Sequence, residues 1–455
     1  MKYLFTLLLS SLLIQSFNSS FQATLFNQMN REKKGGNLII SPLSIFQALS
    51  LATNGARGKT QSEMLDLLQS DSLEKLNEIN YKIISLFKKY NTIDIADAVM
   101  TRFTPLENFT NIAQEYLAPV EPLESVEQVN NWCSNKTHGK IDKILNELDP
   151  NTLMIILNAV YFKGEWLYQF HPLNTKNLTF YNLGNEGVKI DTMNQIEYFN
   201  YYEDKNVQAI ELRFKEDYMS AIIILPAKGT DINEYIDTLS ISNKEYNKII
   251  KGLNYAKVNL ELPKFELEFE DNLKDVLISL GMYNAFDENN ADFTGLIEQR
   301  GLYIGQVIHK TYLKVFEVGC EAAAVTAIIG RKGSADGVKE KIYDMKVNRP
   351  FLFLLKNSRL PAGYDLVFMS KIEQFDKFYK LVGQEDEEHE YDEEDEDDEE
   401  IDNKKRISKE LLIIIIVLGA VLVFSLIGLV RWKKMFCWRK KIKENELIDG
   451  ALDFE

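Results

Sequence analysis

The chain is expected to adopt an α+β fold, on three observations. Helix-spaced apolar residues come early, short apolar runs bounded by turn residues come later, and the stretch from Asn18 to Val382 has an ordinary, aromatic-rich composition without repeats. With 45% apolar residues, that length supports a sizeable core in a single large domain.

The elements follow in order. Met1 and Lys2 lead into "YLFTLLLSSLLIQSF", a short positive start and an apolar core, which reads as a signal peptide over residues 1–17. "SSFQATLFNQMN" sets Phe21, Leu25, Phe26 and Met29 at helical spacing behind a serine cap. "SPLSIFQALSLATNGA" reads as a second helix, entered through Ser41 and Pro42. "TLMIILNAVYFKGEW" and "SAIIILPAKG" have the form of central strands. The folded domain is expected to span 18–382.

The net charge of −16 is local: Glu385 to Asp402 holds fifteen acidic residues, leaving the remainder near −1. Residues 383–408 therefore repel themselves and read as an extended linker, and no basic face argues for nucleic acid. "LLIIIIVLGAVLVFSLIGLV", Leu411 to Val430, has twenty residues with Ser425 as its one clearly polar side chain. As a helix it reaches about 30 Å, enough for a bilayer core, so a transmembrane helix is expected over 409–430. "RWKKMFCWRKKIK" carries seven cations in thirteen residues, against four between Lys404 and Lys409. The asymmetry places 431–455 inside and the large domain outside, as a single-pass type I protein, extracellular or lumenal.

Export agrees with four glycosylation sequons, at Asn18, Asn108, Asn135 and Asn177. Of three cysteines, Cys437 falls on the inner side, which leaves Cys133 and Cys320 as the one possible exported pair, and no disulfide framework is implied. There is no G-x-S-x-G or H-E-x-x-H motif and no spaced Cys/His cluster. The chain is expected not to be an enzyme, to hold no metal or cofactor, and to act as a monomer.

One segment resists local rules. In "FEVGCEAAAVTAIIGRKGSADG", Phe316 to Gly337, Glu321 and Ala322 to Ala324 favour a helix, whereas Val325, Thr326, Ile328 and Ile329 favour a strand. Such conflict often marks a functional site.

A series of motifs bears on it. "NLIISPLSI", "GARGKTQSEM", "LNAVYFKGEW", "LELPKFELEFEDNL", "GMYNAFDENNADFTGL", "VIHKTYLKVFEVGCEAAAVTA" and "NRPFLFLL" occur in this order between Asn37 and Leu355. In order and spacing they resemble the serpins, over nearly all of Phe21 to Ile372. The resemblance implies three β-sheets, about nine helices and an exposed reactive-centre loop. In inhibitory members a serine protease attacks the loop, which then inserts as a new strand of the largest sheet while the protease is still acylated.

The resemblance also implies roles by position. Glu317, Gly319, Cys320, Ala322, Ala323, Ala324, Val325 and Thr326 match the hinge of the loop. An inserting strand alternates its side chains, so Cys320, Ala322, Ala324 and Thr326 would face inward, and all four are small. Glu321 would lie on the other parity, and Gly319 is expected to supply backbone freedom. Val325 is larger than usual, and Cys320 stands where threonine or serine is commoner. Ser41, Ser44, Asn158 and His309 match a polar cluster that holds the sheet closed. Trp166, Lys264 and Glu317 match the loop-entry region, with an ion pair expected between Lys264 and Glu317.

Counted from Glu317 in the commonest register, the scissile bond is Gly333-Ser334. A register one residue shorter cuts after Lys332, and Arg331 and Lys332 would suit a trypsin-like protease. Lys339 and Lys341 are further candidates, because Gly333 to Arg349 is longer than is typical. Two readings stay open: a membrane-tethered inhibitor of serine proteases, and a noninhibitory carrier, chaperone or adhesion module.

Overall fold

A computed structural model describes residues 20–90, 93–184, 186–241, 243–320 and 341–376. Ser20 opens α1 (Phe21–Glu32): its hydroxyl accepts the Ala23 amide at 3.3 Å, and Phe21, Leu25, Phe26 and Met29 form one buried stripe. After β1 (Leu38–Ile40), Ser41 and Pro42 start α2 (Pro42–Gly55), all fourteen residues of which are buried. Ser50, Thr53 and Asn54 therefore turn back onto the carbonyls of Phe46, Leu49 and Ser50, at 2.6, 2.7 and 3.0 Å.

Two helices, α3 (Gly58–Leu67) and α4 (Leu73–Tyr90), precede β2 (Ile93–Thr101). Then come α5 (Glu107–Glu115), β3 (Val120–Pro122), α6 (Val126–Lys136), β4 (Met154–Phe162) and β5 (Gly164–Glu165). A meander follows through β6 (Lys176–Tyr181), β7 (Gly187–Glu203), β8 (Val207–Arg213) and β9 (Met219–Pro226). α7 (Ile232–Ile241) and α8 (Asn243–Gly252) lead to β10 (Asn254–Pro263), β11 (Phe265–Asn272) and α9 (Lys274–Ser279). The remaining strands are β12 (Gln306–Val315), β13 (Gly319–Cys320), β14 (Ile342–Lys346), β15 (Phe351–Asn357) and β16 (Leu366–Ile372). Nine α-helices and two short 3-10 turns are thus present among the described residues, in the expected α+β class.

Hydrogen bonding joins the strands into two networks. One runs β3-β2-β4-β12-β13-β5 with β11 on β12; the other runs β1-β16-β15-β9-β8-β7-β10-β14 with β6 on β7. The second is more than one flat sheet. The 17-residue β7 pairs with β6 through Gly187–Thr192, with β10 through Thr192–Tyr201 and with β8 through Asn200–Glu203, so it carries the network around a corner.

The main core lies between the sheets around α2, while Ala98, Met100, Ile155, Leu157, Val129 and Cys133 form a second cluster under α6. The described residues all fall in one compact unit, and residues 384–455 lie outside them. The expected span at 411–430 falls there. No helix among the described residues is long and apolar enough to cross a membrane.

Candidate functional site

The seven-stranded sheet has a parallel pair at its centre, β4 and β12, in register from Gln306↔Ile155 to Tyr312↔Tyr161. Above that pair the partners change. Val315 of β12 pairs with Cys320, and β13 pairs with β5, the continuation of β4, through Gly319↔Glu165 and Cys320↔Gly164. Two residues of β13 are therefore already lodged between β12 and β5, at the head of the β4–β12 seam.

This corrects two expectations for the hinge. Phe316 to Cys320 is docked rather than exposed: Glu317 and Cys320 are buried, and the Phe316 and Gly319 amides exchange hydrogen bonds across a tight turn. Gly319 is needed for space rather than backbone freedom, since a Cβ there would sit 2.0 Å from the Gly164 carbonyl oxygen. Burial pushes the Cys320 thiol well above its ordinary value and the Cys133 thiol up to about 12; among the described residues neither forms a disulfide.

The loop-entry residues meet at this turn. Trp166 stacks on Phe214 at 4.4 Å, its indole N–H donates to the Phe316 carbonyl at 2.9 Å, and its amide donates to the Val318 carbonyl at 2.9 Å. Lys264 Nζ lies 3.2 Å from Glu317 Oε1, both side chains being at most 15% exposed. Thr175, which sequence reasoning missed, donates its hydroxyl to the same oxygen at 2.6 Å. The Phe170 amide donates to the Glu317 carbonyl at 2.9 Å.

Farther down the seam, Ser41, Ser44, Asn158 and His309 come together in the core, each at most 1% exposed. The Ser41 amide donates to His309 Nε2 at 3.2 Å, and His309 Nδ1 lies 2.5 Å from Asn158 Oδ1. Ser44 Oγ lies 2.8 Å from Asn158 Oδ1 and 3.0 Å from the Ser41 carbonyl, two acceptors for its single proton. The Asn158 amide nitrogen donates to Asp97, a second missed residue. Only pairing reveals it: Asp97 on β2 is opposite Asn158 on β4, which is opposite His309 on β12. Burial pushes the Asp97 carboxyl up to about 7, against the lowering effect of the Asn158 N–H, and pushes His309 down to about 3.

Ala322 to Thr326 and the bond candidates Arg331 to Ser334 lie outside the described residues, as does Asn18. The other sequon asparagines are exposed: Asn108 in the first turn of α5, Asn135 on α6, and Asn177 on β6 with its amide 3.3 Å from Asp191. Elsewhere, α1, α7, α8, β15 and β16 enclose a cavity of about 410 Å³ lined by Phe26, Ile236, Ile250 and Leu354. Tyr246 lines it too, its buried hydroxyl without a hydrogen-bond partner among the described residues, as do Lys356 and Asp365, an ion pair at 3.5 Å.

The comparisons with known proteins agree with this geometry. The family model for serpin (serine protease inhibitor) matches residues 16–373. The leukocyte elastase inhibitor of Xenopus laevis is 30% identical over 369 residues, covering 76% of this chain and 96% of the relative. Among solved structures, the thermophilic serpin Tengpin in its native state has a TM-score of 0.70 at 30% identity, covering 80% of this chain and 94% of that one. A thyroxine-binding globulin complex with thyroxine has a TM-score of 0.68 at 25% identity, covering 79% and 99%. By sequence and by fold, this chain belongs to the serpin family.

Proposed function

We propose that the chain is a membrane-tethered inhibitor of serine proteases, with trypsin-like targets, acting by loop cleavage, strand insertion and covalent trapping. The observation that carries this reading is β13 at the head of the seam. Extending its antiparallel register from Val315↔Cys320 would set Ala322 opposite Leu313, Ala324 opposite Thr311 and Thr326 opposite His309. Those β12 residues are fully buried, so the entering side chains must be small, as these are. Thr326 would then stand where Asn158 now pairs with His309, and the polar cluster is what insertion must break.

The chemistry belongs to the protease. Its serine oxygen would attack the carbonyl carbon of Lys332 or of Gly333, the C–N bond to the next residue would break with the proton passing to the leaving amine, and the acyl ester would remain. Arg331 and Lys332 support a target whose specificity pocket carries a carboxylate. The apolar run Leu411 to Val430 supports the tether.

Incubating the full chain with trypsin tests inhibition: a covalent complex that survives denaturing electrophoresis is expected. Cleavage without complex, and without a gain in heat stability, would instead favour a noninhibitory carrier. The cavity, with a mostly apolar lining and a Tyr246 hydroxyl that has no partner among the described residues, supports that second reading, since a relative of this fold is described in complex with thyroxine. Tethering is tested by alkaline carbonate extraction of membranes, where retention is expected and release on deleting 411–430.

A further inference from the structure

Asp97 ends a one-way chain of hydrogen bonds that crosses the β4–β12 seam. The carboxyl oxygen that meets Asn158 accepts, so the amide nitrogen of Asn158 turns toward β2 and its oxygen faces His309. His309 must then donate from Nδ1, which leaves Nε2 to accept the Ser41 amide at 3.2 Å. One carboxyl thus selects the amide orientation, the imidazole tautomer and the contact to the start of α2.

We propose that Asp97 is a positioning residue of the latch between β4 and β12: its carboxyl directs the Ser41–His309–Asn158 chain, and proton exchange at Asp97 offsets that at His309, so that the latch holds level against pH. The inference rests on the reading of this seam as the site of strand insertion.

The surroundings leave these two groups to act on each other through Asn158. β4 carries no carboxylate or cation, and α2 carries no titratable residue. On β3, Glu121 pairs with Met100, whose parity is opposite to that of Asp97. α6 packs on that opposite face, with Ala98 and Met100. On the His309 side, β11 sets Asp271 directly across, and Lys33 neutralises it at 2.9 Å. Lys310 of β12 points to the other face, toward Glu268 and Glu270. β1 carries no titratable residue, and Cys320 of β13 lies at the Val315 end.

The two ends respond to pH with opposite sign. Asp97 moves from an ordinary 3.8 up to about 7, so it keeps a proton that the unfolded chain loses. Its contribution to the closed state is complete below 3.8 and is lost as the pH rises through about 7. His309 moves from 6.5 down to about 3, so it stays neutral where the unfolded chain gains a proton. Its contribution is complete above 6.5 and is lost as the pH falls through about 3. Between about pH 4 and 6.5 the two cancel, and the latch holds level.

The test is urea unfolding of the full chain in detergent between about pH 4 and 7.5, for wild type, Asp97→Asn and His309→Gln. The Asp97→Asn variant keeps an acceptor for Asn158 without a titrating proton. Relative to Asp97→Asn, the wild-type unfolding constant should rise about tenfold per pH unit between roughly pH 4 and 7. Relative to His309→Gln, it should fall about tenfold per unit up to roughly pH 6.5. Parallel profiles for wild type and Asp97→Asn would overturn the proposal; Asp97→Ser serves if the asparagine variant does not fold. Complex yield with trypsin is measured alongside. Parallel profiles with intact trapping remove the role of Asp97 and leave insertion standing, whereas the expected slopes without trapping keep the latch and remove the inhibitory reading.

Discussion

Lys264 Nζ holds Glu317 Oε1 at 3.2 Å, and the Thr175 hydroxyl holds the same oxygen at 2.6 Å. The contact ties the bend before β13 to the junction of β10 and β11. It is more sheltered than an ordinary surface pair, so removal of one partner leaves a largely buried charge.

Lys264→Met should therefore destabilise the native state by about 1–3 kcal/mol, with Glu317→Gln costing less because the amide can still accept from Thr175. The double variant should cost less than the two singles together. Urea unfolding of all four forms gives the coupling, and strict additivity would show that the pair does not hold the turn.

Gly319→Ala should be more damaging than its chemistry suggests. The added methyl meets the Gly164 carbonyl at 2.0 Å and the Glu165 Cα at 2.8 Å, both backbone atoms that cannot rotate away. Separation of β13 from β5 at a cost of about 1–3 kcal/mol is expected, read as a lowered thermal midpoint. An unchanged midpoint would mean that the close approach is not maintained in solution.

Thr326→Arg is predicted to turn inhibitor into substrate. In the extended register the arginine would have to enter opposite His309, in a fully buried layer of the sheet. Cleavage by trypsin should continue while covalent complex falls by an order of magnitude or more; undiminished complex would defeat the insertion mechanism.

Lys371 and Glu373 form an ion pair at 3.0 Å with 0% and 1% exposure, and Lys371 also donates to Asn233 at 2.9 Å. Lys371→Met should cost about 3–5 kcal/mol, because Glu373 is left buried and uncompensated. Lys371→Met with Glu373→Leu should recover most of the loss. Thermal midpoints of the single and double variants decide whether charge or packing holds the end of β16.

Much of the frame is readable before folding. Ser20 and Ser41 announce α1 and α2, and the apolar runs around Asn158 and Ile223 announce β4 and β9, because caps and periodicity act over a few residues. Motifs identify Ser41, Ser44, Asn158 and His309, as they do Trp166, Lys264 and Glu317. Asp97 and Thr175 carry no comparable signal. Each acts on a partner 61 or 142 residues away, a relation that strand register and chain path create.

The sequence by itself determined the first two helices and two central strands, the family, the small residues of the hinge and the charge and apolar blocks after Val382. Those properties reside in side-chain size, polarity and short-range spacing. Only the tertiary structure decided that Gly319 and Cys320 already occupy the head of the seam, that Gly319 is required by a neighbouring carbonyl, and that a carboxyl lies at the end of the Ser41–His309–Asn158 chain. These depend on which strands lie side by side and in what register, and burial among distant segments then sets the protonation of Asp97 and His309.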